Sequence, residues 1–224
     1  MITLYDYELS GNCYKLRLFL AILGLAHDIV PIDFYPGREH KSEAFLRLNP
    51  RGQLPVLVDD GEVLTDSQAI LVHLAGKYDA SGRWYPSTDP AVLSEIEDWH
   101  GFAEQLTGTV SAARLHIAMG YPFDLDKAQA GAHRLFRRLD EHLWFGERAG
   151  REWLCGAAEP TTADIACFPY VALSEEGGVS RQDYPAIRRW VDRVKRIGGF
   201  VTMSGIFPAG PAVQAGPRGT TGSP

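Results

Sequence analysis

Chemistry in this chain is offered at a few short turns. Ser10-Gly11-Asn12-Cys13 stands where a β-prone run gives way to an apolar helical run. A helix start exposes unpaired N–H groups and a partial positive charge, so an anion is stabilised there and a thiol ionises more readily. Ser10 and Asn12 can each donate a hydrogen bond to a thiolate, whereas a serine hydroxyl is too weakly basic to generate one. Ser10 is equally suited to capping the helix. Cys13 reads either as a small core residue or as a reactive thiol.

Two further turns carry polar groups. In Asn49-Pro50-Arg51-Gly52-Gln53-Leu54-Pro55, a proline opens a strand. If the Leu54–Pro55 bond is cis, the Leu54 N–H and C=O face outward, free to pair with a peptide-like ligand; spacing alone does not choose cis over trans. Thr65-Asp66-Ser67-Gln68 opens another helix. Thr65 and Gln68 have the spacing of a capping box. Ser67 at the helix N-terminus also suits a ligand carboxylate, and Asp66 a ligand ammonium. His40 and Lys41 lie in a polar loop and read by default as solvated.

Several chemistries find no support. The chain has no GxGxxG or GxxxxGK[ST] phosphate loop, no HExxH, no His pair at metal spacing and no GxSxG elbow. Its three cysteines (Cys13, Cys155, Cys167) share no close spacing, which argues against a disulfide framework and a cysteine-based zinc site. No metal is expected. A net charge of −6 disfavours a nucleic-acid partner. The longest apolar run, Leu18 to Ala26, is too short to span a bilayer, and the run does not read as a secretory signal. A cytoplasmic protein without a membrane partner is expected.

The elements that must position these turns follow from apolar periodicity. Ile2–Tyr5, Asp28–Phe34, Pro55–Val58 and Glu62–Leu64 read as strands, with Asp59-Asp60-Gly61 as a hairpin turn. Cys13–Gly24, Ser42–Leu48 and Ser67–Tyr78 read as helices. That order gives a four-stranded mixed sheet flanked by helices, over residues 1–80. After a turn-rich linker, Ile96, Trp99, Ala103, Leu106, Val110, Ala113 and Ile117 recur at helical spacing and predict one long helix. This stripe is core in type, with Trp99, His100 and Phe102 placed to reach an inter-domain cleft; Arg114 and His116 read as solvated. Further helices are predicted from Leu125 to Leu143, Thr162 to Leu173 and Pro185 to Ile197, making residues 91–207 an all-helical domain. Thr161 and Asp164 resemble a structural capping box. Residues 208–224, nearly all Pro, Gly, Ala, Ser and Thr, are expected to be a disordered tail.

Taken together, LYDYELSGNCYKLRLFLAILGL, NPRGQLPVLVDDGEVLTDSQAI and PTTADI resemble the cytosolic glutathione S-transferase superfamily over about residues 2 to 205. The resemblance implies an α/β thioredoxin-like N-terminal domain, an all-α C-terminal domain, a homodimer and a glutathione site. Ser10 matches the thiolate-stabilising hydroxyl of the serine-type classes (theta, zeta, phi). Asn12 is similar to the asparagine that nu-class bacterial members keep near the sulfur. Leu54, ahead of a family-typical cis Pro55, would pair with the cysteinyl part of glutathione and Gln53 with its glycyl or γ-glutamyl end. Asp66 and Ser67 would take the γ-glutamyl ammonium and carboxylate, and His40 the glycyl carboxylate. No tyrosine stands in the usual place of the tyrosine-type classes; Tyr5 and Tyr7 lie in or just after the first strand. The implied activity is glutathione transfer to a hydrophobic electrophile, in a detoxification role, with the electrophile near Trp99, Phe102 and Ala103. The alternatives are a glutathione-dependent disulfide or peroxide reductase and a non-catalytic glutathione-binding protein.

Overall fold

The computed structural model describes residues 1–206; the expected tail, 208–224, lies outside them. Four strands come first: β1 (Ile2–Asp6), β2 (His27–Pro31), β3 (Val56–Asp59) and β4 (Glu62–Leu64). They form one sheet in the order β2-β1-β3-β4, with β1 and β2 parallel and the other pairs antiparallel. The β3–β4 loop is the expected hairpin. Asp59 pairs with Glu62, and Asp60 (φ 51°) and Gly61 (φ 90°) both take the left-handed region that a tight primed turn requires.

Three helices belong to this sheet: α1 (Gly11–Ile22), α2 (Glu43–Leu48) and α3 (Ser67–Tyr78). Helix α1 is apolar almost all round because it is covered on both sides. It crosses between the parallel strands β1 and β2, and it packs against α3 and a helix of the second part. Leu16, Leu18, Phe19 and Leu20 are fully buried, each worth about 1.5–3 kcal/mol. Cys13 is buried among them and its thiol is pushed up to about 12, chiefly by that burial. It is a core residue, not a thiolate nucleophile.

The second part is helical: α4 (Pro90–Leu106), α5 (Ala112–Met119), α6 (Leu125–Arg148), α7 (Thr162–Ala172) and α8 (Pro185–Val194). Helix α7 lies at its centre, buried along its whole length and packed against α1, α3, α4 and α8. Asp164 secures its start. This fully buried carboxylate accepts N–H groups from Thr161 (3.0 Å), Leu154 (3.2 Å) and Trp190 Nε1 (2.9 Å).

Two expectations need correction. The predicted long helix Ile96–Ile117 is interrupted between α4 and α5 by a π-helical turn, Thr107–Ser111. Threonine hydroxyls bond back to carbonyls there, Thr107 to Ala103 (3.0 Å) and Thr109 to Gln105 (2.7 Å), competing with the regular ladder. The expected Thr65–Gln68 capping box does not form. Helix α3 is capped by Asp66, whose Oδ1 accepts the N–H groups of Gln68 (3.0 Å) and Ala69 (2.9 Å), one residue on from the expected frame. Thr65 Oγ1 accepts instead from Arg51 (2.7 Å), and the Gln68 amide reaches Ser67 and Glu104.

Candidate functional site

A cleft of about 780 Å³ opens between the sheet unit and the helical part. The sheet unit supplies one wall, with Ser10, Asn12, His40, Gln53, Leu54, Pro55, Asp66 and Ser67 all lining it. These residues lie far apart along the chain. They meet because loop ends at one edge of the sheet and the N-termini of α1 and α3 open on the same side.

Each has a local cause for its placement. Ser10 caps α1: its Oγ accepts the Cys13 N–H at 3.2 Å, while its N–H donates to the Tyr7 carbonyl at 2.9 Å. Using the oxygen as an acceptor leaves the hydroxyl proton free to donate. Asn12 follows in the first turn, and its Oδ1 is buried without a hydrogen-bond partner among the described residues.

The loop before β3 is set by Asn49, a residue the sequence reading did not single out. Asn49 is buried; its Nδ2 donates to the Gln53 carbonyl (2.8 Å) and its Oδ1 accepts the Arg51 N–H (3.1 Å). Gly52, at φ +56°, passes so near His40 that an added Cβ would meet the His40 carbonyl oxygen at 2.8 Å. The Leu54–Pro55 bond is cis.

His40 is not solvated, as a polar loop suggested. It is buried and stacks on Phe34 with ring centroids 4.1 Å apart. Burial, reinforced by the positive charges of Lys41 and Arg38, holds its imidazole below the ordinary range. At neutral pH it therefore acts as an uncharged hydrogen-bonding ring.

At α3, Asp66 uses one oxygen to cap two N–H groups, which leaves the first amides of the helix open to an anion. Ser67 is buried beside them and Asp66 is exposed at the rim. Behind this end of the cleft, Lys15 is fully buried without a hydrogen bond among the described residues and lies over the Tyr170 ring (5.7 Å). Burial pushes its amine down to about 8, against the pull of Cys167, Glu104 and Asp66.

The helical wall is not the one expected. Trp99, Phe102 and Ala103 do not reach the cleft. All three are buried in the core, where Trp99 packs on Phe102 (5.0 Å) and on His142 of α6 (4.7 Å). The neighbouring stripe of the same helical segment faces the cleft instead: Glu104, Thr107, Ser111 and Arg114, with Tyr121 and Tyr170 beside them. The π turn lies in this wall, where such turns are often found at functional sites. Arg114, read from sequence as solvated, is only 7% exposed. Tyr7 also lines the cleft; burial, opposed by the Arg114 charge, raises its phenol above the usual value.

Comparison with known proteins agrees with this geometry. Residues 4–82 match the family model described as the glutathione S-transferase N-terminal domain, and residues 122–193 match the C-terminal domain model. The chain is 32% identical over 205 residues to glutathione S-transferase GstB of Escherichia coli, covering 87% of this chain and 93% of that protein. It is 39% identical over 181 residues to human glutathione S-transferase theta-2, covering 77% and 71%. Among solved structures, a glutathione S-transferase from Pseudomonas fluorescens superposes with a TM-score of 0.80 at 29% identity, over 90% of this chain and 98% of that one.

Proposed function

The chain belongs to the glutathione S-transferase superfamily, and from that premise we propose that the cleft binds glutathione and directs its thiolate at a hydrophobic electrophile. One observation carries the reading: Ser10, the cis Leu54–Pro55 pair and the Asp66–Ser67 helix start line a single wall. Glutathione offers a thiol, a γ-glutamyl ammonium and carboxylate, and a glycyl carboxylate, and that wall holds a complement to each.

In this reading the γ-glutamyl carboxylate takes the open amides of α3 and the Ser67 hydroxyl, while its ammonium lies against Asp66. Glu104, held by Gln68, adds a second carboxylate from the facing wall. The glycyl carboxylate lies towards His40, Lys41 and Gln53. The cysteinyl part pairs with the Leu54 main chain, which brings sulfur to Ser10 and Asn12.

Chemistry then needs little from the protein beyond placement and charge. The thiol proton leaves to solvent. The thiolate, held by the Ser10 O–H, attacks an electrophilic carbon. A C–S bond forms as a leaving group departs with its electron pair, or as the pair moves onto a conjugated carbonyl or nitro oxygen. Ser10 is the hydrogen-bond donor and not the base. Residues 1–80 supply the glutathione side and the helical part from residue 91 supplies the electrophile side. The electrophile wall is Thr107, Ser111, Arg114, Tyr121 and Tyr170. A homodimer is part of the same proposal, supported by family membership.

Titration calorimetry with glutathione, beside steady-state assays with chloro-dinitrobenzene, tests the reading. Binding at sub-millimolar concentration with turnover supports it. No heat at millimolar glutathione removes it, and binding without turnover on a panel of electrophiles leaves a binding protein on the same fold.

A further inference from the structure

The turn that delivers Ser10 is held at three successive carbonyls. Tyr7 C=O accepts the Ser10 N–H at 2.9 Å, and Glu8 C=O accepts Arg17 Nη2 at 2.7 Å. Both of these donors belong to the sheet unit. Leu9 C=O, the carbonyl immediately before Ser10, accepts Arg114 Nη1 at 2.5 Å from the opposite wall. Arg114 thereby ties the helical part directly to this turn.

The guanidinium is itself fixed. Its Nε donates to the carboxylate of Glu176, in the short 3₁₀ turn Ser174–Gly177 after α7. Gly177 lets that turn approach closely, since an added Cβ would meet Arg114 N and Ala113 Cβ at 3.1 Å. Arg114 thus stands in the cleft wall beside Ser10, nearly buried, with two of its nitrogens engaged.

We propose that Arg114 is a positioning residue for the sulfur: it anchors the Ser10 turn across the cleft and keeps a fixed positive charge beside the thiolate. This rests on the glutathione reading above. A guanidinium carries its charge throughout the working pH range, and an opposite charge a few ångströms away favours an ionised thiol. Glu176 opposes part of that charge, so the two residues act with opposite signs. The other titratable groups grouped around this corner are Tyr7, Tyr121, Tyr170 and Cys13, with Glu8 and Asp33 near Tyr7 and the Arg17–Asp6 ion pair near Cys13.

The test follows the ultraviolet absorbance of bound glutathione thiolate, and kcat/KM, as functions of pH in R114M, R114K and E176Q. In R114M the bound thiol is expected to ionise about one pH unit higher, a roughly tenfold loss of thiolate below that pH. R114K keeps the charge but not the fork, so the thiol stays near its wild-type value while kcat falls more than KM rises. In E176Q ionisation moves to lower pH. A purely structural Arg114 would lower thermal stability without moving the thiol. R114M and E176Q profiles that both overlay the wild type overturn the proposal. Should R114M fail to fold, E176Q alone decides: a downward move supports the charge role and no move overturns it. Wild-type protein that binds no glutathione removes the site reading and this proposal with it; binding with unmoved profiles removes Arg114 alone.

Discussion

The Ser10 hydroxyl oxygen accepts the Cys13 N–H at 3.2 Å, and the residue that caps α1 in this way also lines the cleft. Capping uses its lone pair and the proposed thiolate bond uses its proton, so two substitutions separate the roles. Ser10→Ala loses both, and we expect a stability loss of about 1 kcal/mol with kcat/KM down about 10²-fold. Ser10→Asp still caps but carries no donor and adds a negative charge; stability stays near wild type and turnover falls further. Thermal unfolding and steady-state kinetics on the two variants check this. Wild-type kcat/KM in Ser10→Ala would take the hydroxyl out of the mechanism.

Asp66 presents the same overlap at α3. Asn is as good a helix cap as Asp, so Asp66→Asn should unfold near the wild-type temperature. It lacks the charge that would face a γ-glutamyl ammonium, so the Kd for glutathione should rise about tenfold. Asp66→Ala should weaken binding similarly and also lose about 1 kcal/mol of stability. Calorimetry and unfolding curves read the two effects separately. Unchanged affinity in both variants would place the ammonium elsewhere.

Asp59, fully buried below the β3–β4 hairpin, sets an acid limit on the fold. Burial alone would raise its carboxyl. The hydrogen bonds from Lys77, His73 and Tyr78, each 2.8 Å long, outweigh this and hold it down to about 2. A folded value below the unfolded 3.8 means the stabilisation is complete above that pH and disappears as pH falls through about 2. The contribution is on the order of 2 kcal/mol. Unfolding free energies of wild type and Asp59→Asn should differ by a constant amount above pH 4 and converge between about pH 4 and 2. A gap that does not narrow would refute the assignment.

Gly52 takes a positive φ with the His40 carbonyl close by. Gly52→Ala adds a strained backbone and a contact with backbone atoms that cannot swing away, at a cost of about 1–3 kcal/mol. The loop it disturbs carries Gln53 and Leu54, so glutathione KM should rise while Ser10-dependent kcat changes less. A variant with wild-type stability and KM would show that the loop accommodates the methyl group.

Much of the architecture was legible because its signals are local. The hairpin at Asp60-Gly61, the residues of α3 and the cap at Ser10 depend on neighbours a few positions apart, and turn chemistry or apolar period reports them. The cap of α3 was displaced by one residue because Thr65 and Asp66 are both good caps, and only the observed backbone chooses between them. The π turn was illegible. Its threonines are ordinary in a helix, and its packing against α6 brings Thr109 within 2.8 Å of where a Cβ on Gly131 would lie.

By itself, the sequence determined the order of elements, the turns that carry Ser10, Leu54-Pro55 and Asp66-Ser67, and the family to which they belong. Only the tertiary structure decided what faces those turns. Periodicity identifies an apolar stripe on α4 but not the element it packs against, so Trp99, Phe102 and Ala103 turned inward and the adjacent polar stripe became the cleft wall. The bond from Arg114 to the Leu9 carbonyl joins residues 105 positions apart. Such a contact has no period and no local signal; it exists because α7 holds the sheet unit and the helical part together.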